Sequence, residues 1–172
     1  MDTVFRKAVP ADAPAMASLV TLAWRKAYRG ILSDELLDNR SAKEGAQRIR
    51  ARIENQPEQH YNVLVADGEI VGVTAYCPCS GDDLPDAGEI RVFYIHPDRQ
   101  GQGLGRRMMQ NVLTALRADG CKDIVLWVFK DNRNARAFYE KMGFTADGAE
   151  QSTQHLENAV SVRYRYKGVT QT

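Results

Sequence analysis

Cysteine and histidine are both scarce in this chain of 172 residues, which has three of each. Cys77 and Cys79 are separated by a single residue, whereas zinc sites and redox dithiols use the spacing Cys-x-x-Cys. The three histidines form no cluster in the sequence. The sequence therefore predicts no metal site, and we expect the cysteines to be free thiols without a catalytic role.

An excess of charge is lacking as well, because 23 lysines and arginines offset 22 acidic residues to a formal net charge of +1. So small a net charge argues against broad electrostatic attraction to nucleic acid or to an anionic membrane. No apolar run approaches the length of a membrane span, and the first ten residues hold no signal-peptide core. We expect a cytoplasmic protein that binds neither nucleic acid nor membrane.

Repeats, low-complexity tracts and linkers are absent from the sequence too, so its length and 44% hydrophobic content suit a single domain over residues 1–172. The hydrophobic pattern predicts one strand, two or three helices, three strands, a helix, a strand, a helix and two final strands. This order is typical of an α+β domain with a mixed sheet.

A glycine-rich turn between a strand and a helix is the most informative segment. Residues 89–95 are mostly β-branched and aromatic, and the predicted strand ends before Pro97. Glycines follow at 101, 103 and 105, and from Leu104 onward apolar side chains recur on one side of a helix. The first turn of a helix exposes unpaired N–H groups, so this segment suits a phosphate, with Arg106 adding positive charge.

Two common phosphate-binding motifs fit this segment badly. The P-loop needs Lys-Ser or Lys-Thr after its last glycine, but Arg106 and Arg107 follow Gly105. The dinucleotide fingerprint needs the spacing Gly-x-Gly-x-x-Gly and an acidic residue at the end of the next strand, which here ends in Phe129-Lys130. A tight turn without a ligand is the alternative.

Two segments together resemble the GNAT superfamily of N-acetyltransferases. Residues 100–105, QGQGLG, are similar to its Gln/Arg-x-x-Gly-x-Gly/Ala signature, which in that family grips the pyrophosphate of acetyl-CoA. Residues 132–144, NRNARAFYEKMGF, are similar to its Asn-x-x-Ala-x-x-x-Tyr-Glu-x-x-Gly-Phe block. The region 88–144, which contains both segments, covers about a third of the chain.

The resemblance implies the GNAT fold, a mixed and mostly antiparallel sheet of six or seven strands that is flanked by helices and splayed between the fourth and fifth strands. Coenzyme A would lie in that cleft, and the main chain of Phe93 or Ile95 would supply the N–H that stabilises the oxyanion. For Asn132 a helix cap is the alternative role. The residues implied for coenzyme binding are Phe93, Tyr94, Ile95, Gln100, Gly101, Gln102, Gly103, Leu104, Gly105, Arg106 and Asn132.

Glu89 and Tyr139 are the catalytic candidates. The spacing from Glu89 to Phe93 resembles that of the glutamate base in GNAT histone acetyltransferases, and in a regular strand both would share a face with Ile95. An ion pair with Arg91 is the alternative for Glu89. Tyr139 matches the tyrosine that serves the family as general acid. A phenol with a pKa of about 10 is no stronger an acid than a thiol at about 8.5, so Tyr139 suits the role of a positioned hydrogen-bond donor, and its alternative is a core aromatic.

The residues that would contact the acceptor amine are less sharply defined by the sequence. Trp24 and Tyr28 lie four apart on a predicted helix, either as core residues or as a border of the acceptor groove. A polar helix over residues 41–56 follows, and the basic residues in and beside it form either a solvated face or an anion site. They are Arg40, Lys43, Arg48, Arg50 and Arg52. Acidic residues in this region favour a cationic amine, namely Asp34, Glu35, Asp38, Glu150 and Glu157.

The sequence thus predicts direct acetyl transfer from acetyl-CoA to a primary amine on a small molecule or a protein, without a covalent enzyme intermediate or a metal. A homodimer is compatible with the family. The alternatives are a non-catalytic acyl-CoA binding or sensor module and a nucleotide-binding protein, for which ATP or NAD would bind more tightly than coenzyme A.

Overall fold

The computed structural model describes residues 2–78, 81 and 83–167. Within them the strands, numbered in chain order, are β1 (Thr3–Lys7), β2 (His60–Ala66), β3 (Glu69–Cys77), β4 (Ala87–Ile95), β5 (Asp123–Phe129), β6 (Thr145–Ser152) and β7 (Val160–Lys167). The α-helices are α1 (Ala13–Ala27), α2 (Asp34–Asp38), α3 (Ala42–Asn55), α4 (Leu104–Ala118) and α5 (Arg133–Lys141).

The strands form one sheet in the order β1-β2-β3-β4-β5-β7-β6. Neighbouring strands are antiparallel except β4 and β5, which run parallel. Parallel neighbours need a crossover, and α4 supplies it. The prediction of a mixed, mostly antiparallel sheet flanked by helices is confirmed, with seven strands.

α4 packs against one face of the sheet, which we name the α4 face. Two glycines allow the close approach of the helix. A Cβ atom on Gly72 of β3 would lie 2.8 Å from the Met108 Sδ atom, and one on Gly88 of β4 would lie 2.8 Å from the Leu116 Cδ2 atom. The predicted apolar stripe of α4 is buried, and it comprises Leu104, Met108, Met109, Val112, Leu113 and Leu116.

α1 packs against the opposite face, which we name the α1 face. Met16, Leu19 and Val20 of α1 form one buried cluster with Val63 of β2 and Val73 of β3. The apolar residues of α1 recur at helical spacing because they line this contact. Each face of the sheet therefore has its own core, and β4 contributes to both.

β4 and β5 pair with each other only over their first halves. Residues 87–90 of β4 pair with residues 123–126 of β5. Beyond them β4 continues to Ile95 and β5 to Phe129 without pairing to each other, while β5 pairs with β7 along its other edge over its whole length. As predicted, the sheet is splayed between its fourth and fifth strands, β4 and β5. We name the space between their free halves, residues 91–95 of β4 and 127–129 of β5, the gap.

A β-bulge interrupts β4 at Arg91. Ile90 and Val92 lie opposite consecutive residues of β3, so Arg91 is the extra residue. Ile90 packs into the core of the α4 face, whereas Val92 packs against the core of the α1 face. The bulge therefore reverses which residues of β4 face which helix.

The bulge overturns the prediction that Glu89 shares a face with Phe93 and Ile95. Those two residues pack on the α4 face. Glu89 comes before the bulge and beside Ile90, so its side chain points to the α1 face. A two-residue period cannot reveal an inserted residue, and for that reason the prediction was wrong.

The cysteines differ from one another. Cys121 is buried and free, as expected. Cys77 is disulfide-bonded, so the expectation of a free thiol is wrong there. An odd number of cysteines guarantees one unpaired thiol but does not prevent bridges among the others. Cys79 lies outside the described residues.

Candidate active site

The glycine turn opens onto the first turn of α4. Gly101 and Gly103 have φ angles of 76° and 78°, and a Cβ atom on either residue would meet nothing within 4 Å. Gly103 is the N-cap of α4, and the N–H of Arg107 is the one that bonds back to its carbonyl oxygen, at 3.1 Å. The N–H groups of residues 104–106 precede that bond and have no acceptor within the helix. Open main chain and the positive end of the helix dipole give this turn the features that an anion site requires.

The third glycine of the turn has a different environment. A Cβ atom on Gly105 would lie 3.3 Å from the Phe138 ring, so glycine here lets α4 pack closely against α5. The side chains of Gln100, Gln102 and Arg106 are exposed around the turn, and Leu104 is buried. The structure thus places the predicted coenzyme residues of the turn together, with Gly105 and Leu104 on its packed side.

The free half of β4 offers main-chain groups to the gap. The His96 N–H bonds to the Val71 carbonyl oxygen of the neighbouring segment at 2.8 Å. Because bonded and non-bonded positions alternate in an antiparallel pair, Tyr94 also bonds toward β3, and the N–H and C=O groups of Phe93 and Ile95 point the other way. Phe93 and Ile95 therefore face the gap with their main chains, as the predicted thioester-binding strand requires.

Tyr139 lies on α5 at the edge of the gap. Its ring centroid is 6.3 Å from that of Phe93 and 5.9 Å from that of Phe144, and the residue is only 9% exposed. Its hydroxyl makes no hydrogen bond to the part of the chain that the structure describes. Burial raises the pKa of Tyr139 well above its usual value of 10. The hydroxyl therefore stays protonated, which makes it a poor acid and a free hydrogen-bond donor.

Asn132 has a structural role that the sequence offered as its alternative. It is the N-cap of α5, and its Oδ1 atom accepts a hydrogen bond from the Ala135 N–H at 3.3 Å. The same residue begins the helix that carries Tyr139. The cap thus helps to orient α5, and coenzyme contact by Asn132 stays a prediction.

Glu89 lies where the pairing of β4 and β5 is about to end. Its side chain is 20% exposed, and its Oε2 atom accepts a hydrogen bond from the Arg91 Nε atom at 3.1 Å. The ion pair that was the alternative role of Glu89 is therefore present. Because Glu89 points to the α1 face, its carboxylate lies on the opposite side of β4 from the Phe93 ring.

An aromatic group bridges the gap on the α1 face. The Tyr28 hydroxyl and the Tyr94 hydroxyl are hydrogen-bonded at 2.8 Å, and the Tyr28 ring meets the Phe129 ring edge to face at 4.9 Å. Tyr94 belongs to β4 and Phe129 to β5, so Tyr28 contacts both strands that border the gap. Trp24 packs against Tyr28 at 5.0 Å. We name these four residues the aromatic group.

The aromatic group combines roles that the sequence kept apart. Tyr28 is a buried core residue, and burial raises the pKa values of the Tyr28 and Tyr94 hydroxyls. The sequence had grouped Tyr94 with the coenzyme residues, but its ring lies beside Trp24 on the α1 face. Sequence reasoning missed Phe129, for which its position at the end of a buried strand was the available signal.

Two other features are absent from residues 2–78, 81 and 83–167. No group of three or more His, Cys, Asp or Glu side chains is arranged to hold a metal ion. No helix in the same ranges is long and apolar enough to cross a membrane.

Comparisons with known proteins agree with this geometry. The family model described as "Acetyltransferase (GNAT) family" matches residues 14–144. A probable N-acetyltransferase of Mycobacterium tuberculosis is 30% identical over 170 residues, which cover 93% of this chain and 91% of that protein. A mycothiol acetyltransferase of Geodermatophilus obscurus is 42% identical over 73 residues, but the match covers 42% of this chain and only 24% of that protein.

A solved structure shares the fold at low sequence identity. The PaiA N-acetyltransferase of Thermoplasma acidophilum, crystallised in complex with coenzyme A, superposes with a TM-score of 0.78 at 17% identity and covers 98% of this chain and 100% of its own. The family model spans most of the chain, and the mycobacterial relative aligns over nearly all of it. This chain therefore belongs to the GNAT family of acetyltransferases.

Proposed function

We propose that this chain transfers an acetyl group from acetyl-CoA directly to a primary amine of a small molecule or a protein. The observation that carries the proposal is the gap, which opens beside the glycine turn and exposes the main chain of Phe93 and Ile95 to a ligand. The free half of β4, the glycine turn and the first turn of α4 follow one another directly in the chain. Such an arrangement suits a long ligand with a diphosphate at one end and a thioester at the other.

The glycine turn is the proposed diphosphate site. The N–H groups of residues 104–106 would donate to phosphate oxygens, and Arg106 would add charge. Each charge-assisted hydrogen bond contributes about 1.5–3 kcal/mol, so three of them would fix this end firmly. The pantetheine arm would pair with Phe93 and Ile95 as an added strand does.

The transfer needs a neutral amine, a stabilised oxyanion and a leaving thiolate. The amine nitrogen forms the new bond to the thioester carbon, the carbon–sulfur bond breaks, and the sulfur leaves as a thiolate that takes up a proton. We assign the oxyanion to the main-chain N–H of Phe93 or Ile95 and the hydrogen bond to the departing sulfur to Tyr139. The free hydroxyl of Tyr139, at the edge of the gap, supports that assignment.

Glu89 is the proposed base, acting through water. A lysine-like amine has a pKa of about 10.4, so under a hundredth of it is neutral at pH 7. Four residues of strand span about 13 Å, so Glu89 lies too far from Phe93 for direct proton transfer. Its position on the α1 face places it on the side of β4 where the aromatic group would border an acceptor.

The decisive experiment measures coenzyme binding and thiol release separately. Isothermal titration with acetyl-CoA, ATP and NAD should give the tightest binding for acetyl-CoA. Thiol release should then depend on added amine across a panel of polyamines, amino acids, arylalkylamines and peptides. Binding of acetyl-CoA without turnover on any amine would support an acyl-CoA sensor, and tighter binding of ATP or NAD would support a nucleotide-binding protein. A single acetyltransferase domain over residues 1–172, a cytoplasmic location and a homodimer stay predictions from the sequence.

A further inference from the structure

Arg40 has an unusual position among the arginines on the α1 face. It lies between α2 and α3, is half-buried, and its guanidinium carbon stands 3.6 Å from the centroid of the Trp24 ring. The stacking covers one face of the planar guanidinium group. It leaves the edge that carries the N–H donors available for a ligand in the same plane.

The guanidinium group of Arg40 has no anionic partner among residues 2–78, 81 and 83–167. Burial lowers the pKa of Arg40, and the nearby charge of Arg48 adds to this effect. The hydroxyls of Tyr28 and Tyr94 supply no negative charge, because they stay protonated. Partial burial of a cation without a counter-ion is unfavourable, so an anion bound beside Arg40 would stabilise its charge.

Two neighbouring arginines, Arg25 and Arg29, are by contrast held by hydrogen bonds or ion pairs. Arg29 forms ion pairs with Asp34 and Asp38. Arg25 donates to the carbonyl oxygens of Leu37, Asp38 and Arg40, and so fixes the segment that carries Arg40 to α1. Arg40 is thus held in place through its carbonyl oxygen, while its guanidinium group stacks on Trp24 and has no hydrogen-bond partner among the described residues.

Three of the five acidic residues that favoured a cationic acceptor form ion pairs. Asp34 and Asp38 bind Arg29, and Glu150 binds Lys130 at 2.8 Å. Glu157 accepts hydrogen bonds from the N–H and hydroxyl of Ser33. Among the described residues on this side of the gap, Glu35 and Glu157 also have no cationic partner, but they are exposed. Arg40 is half-buried, and its guanidinium group has neither an ion pair nor a hydrogen bond among the described residues.

A continuous series of contacts connects Arg40 to the gap. Arg40 stacks on Trp24, and Trp24 packs against Tyr28. Tyr28 in turn contacts Tyr94 of β4 and Phe129 of β5, the two strands that border the gap. A ligand seated at the gap with its amine toward Ile95 would extend along the aromatic group toward Arg40.

We propose, on the basis of the function proposed above, that Arg40 binds a carboxylate of the acceptor. The acceptor is then an amine that carries a carboxylate, of which amino acids are the simplest class. The fork of N–H donors on Arg40 matches the two oxygens of a carboxylate, and Trp24 holds that fork in one orientation.

The test uses acceptors matched in pairs that differ by the carboxylate. Suitable pairs are L-phenylalanine with phenethylamine, L-lysine with cadaverine and γ-aminobutyrate with propylamine. We expect kcat/KM to be at least about tenfold higher for the acid member of the preferred pair. A ratio of this size is what one well-formed ionic contact would produce. Arg40→Met should abolish that preference by raising KM for the acid, while KM for the amine and the affinity for acetyl-CoA stay unchanged.

Two further variants separate a specific contact from general charge or damage to the fold. Arg48→Met removes a neighbouring exposed arginine that already pairs with Glu44, so the preference should survive. Arg40→Lys keeps the charge but loses the fork, and it should retain part of the preference. In the wild-type protein, N-acetyl-L-phenylalanine should inhibit at least about tenfold better than N-acetyl-L-phenylalaninamide, a check that needs no variant.

Several outcomes would overturn the proposal. They are equal turnover of acid and amine in every pair, a preference that survives Arg40→Met, and a stronger preference for O-phosphoethanolamine than for any carboxylate. In these cases acetyl transfer itself would still stand. Acetyl-CoA binding without turnover of any pair member would instead remove the proposed function, and the role of Arg40 with it.

Discussion

The two sides of the gap are built from different chemical groups. The donor side, formed by the glycine turn, the first turn of α4 and the free half of β4, offers main-chain N–H and C=O groups. The proposed acceptor side, formed by the aromatic group and Arg40, offers side chains from α1 and its C-cap, from β4 and β5, and from the segment between α2 and α3. The first presents groups that any main chain carries, whereas the character of the second depends on which side chains are present.

This difference explains why one side could be assigned from a motif and the other could not. A site made of main chain needs glycine where φ is positive or where space must stay open, so it leaves a fixed pattern in the sequence. A site made of side chains can be assembled from any elements that meet in the fold. Substitutions should therefore affect the two sides in different ways.

The largest effect is expected from Gly103→Val. Valine at a φ angle of 78° is strained, and its side chain would occupy the open space before the N–H groups of residues 104–106. Loss of two charge-assisted hydrogen bonds would cost about 3–6 kcal/mol, which weakens acetyl-CoA binding about 100-fold or more. Isothermal titration with acetyl-CoA measures this loss.

Gly120→Val is the matched control for that variant. Gly120 has a φ angle of 85° and equally open surroundings, but it lies at the far end of α4. Both variants should lose about 1–3 kcal/mol of unfolding free energy, and only Gly103→Val should lose affinity. Equal affinities in the two variants would contradict a main-chain phosphate site.

The next effect concerns Tyr139, which lies at the gap itself. Tyr139→Phe should lower kcat about 100-fold, because the departing sulfur loses its hydrogen-bond donor. The affinity for acetyl-CoA should hardly change. The free energy of unfolding should also hardly change, since the lost hydroxyl has no partner in the described chain. Steady-state kinetics and urea unfolding together test this combination.

Tyr61→Phe provides the comparison for Tyr139→Phe. This variant removes the hydroxyl of another buried tyrosine, which lies in the core beneath α1. The Tyr61 hydroxyl accepts hydrogen bonds from Arg52 at 3.5 Å and from Gln59 at 3.4 Å. We expect this variant to lose stability and keep kcat. Wild-type turnover in Tyr139→Phe would remove Tyr139 from the mechanism.

A smaller effect is expected from Glu89→Gln, on the acceptor side of β4. If Glu89 relays a proton through water, kcat/KM at pH 7 should fall about 10- to 100-fold. The variant should regain rate as the pH rises toward the pKa of the amine, because the base is no longer needed once the amine is neutral. A pH–rate profile with a single amine measures this recovery.

Arg91→Met distinguishes a base from an ion-pair partner. It breaks the Glu89–Arg91 pair but keeps the carboxylate, so kcat/KM should stay within about threefold of wild type. If Glu89→Gln and Arg91→Met reduced the rate equally, Glu89 would be only a partner of Arg91.

The smallest effect concerns stability at alkaline pH. Tyr28, Tyr94 and Tyr139 have raised pKa values because they are buried. The folded state therefore holds more protons than the unfolded state once the pH passes about 10, and stability falls as the pH rises further. Each such tyrosine adds a slope of up to about 1.4 kcal/mol per pH unit.

Urea unfolding at pH 8 to 11 tests this dependence. Tyr28→Phe should be less stable than wild type at pH 8, since it removes the hydrogen bond between the Tyr28 and Tyr94 hydroxyls. Above pH 10 it should lose stability less steeply, because one buried tyrosine no longer resists ionisation. Parallel curves for the two proteins would mean that Tyr28 is not buried in solution.

Much of the fold followed from local patterns. The strict apolar spacing from Leu104 to Leu116 predicted α4, and the six side chains are buried because that spacing matches the helical repeat. The splay was implied by the resemblance to the family and is present beyond Ile90. The bulge at Arg91 was not predicted, because nothing in the composition of β4 marks an extra residue.

By itself the sequence determined the order of the elements, the glycine turn and the family, because each depends on residues that are close together in the chain. Only the tertiary structure decided that Glu89 points away from the Phe93 ring, that Tyr28 contacts both strands that border the gap, and that Arg40 has no anionic partner among the described residues. These facts depend on a register shift and on contacts between distant elements. Charges along the chain can be counted from the sequence, but which of them neutralise one another is settled only when the chain has folded.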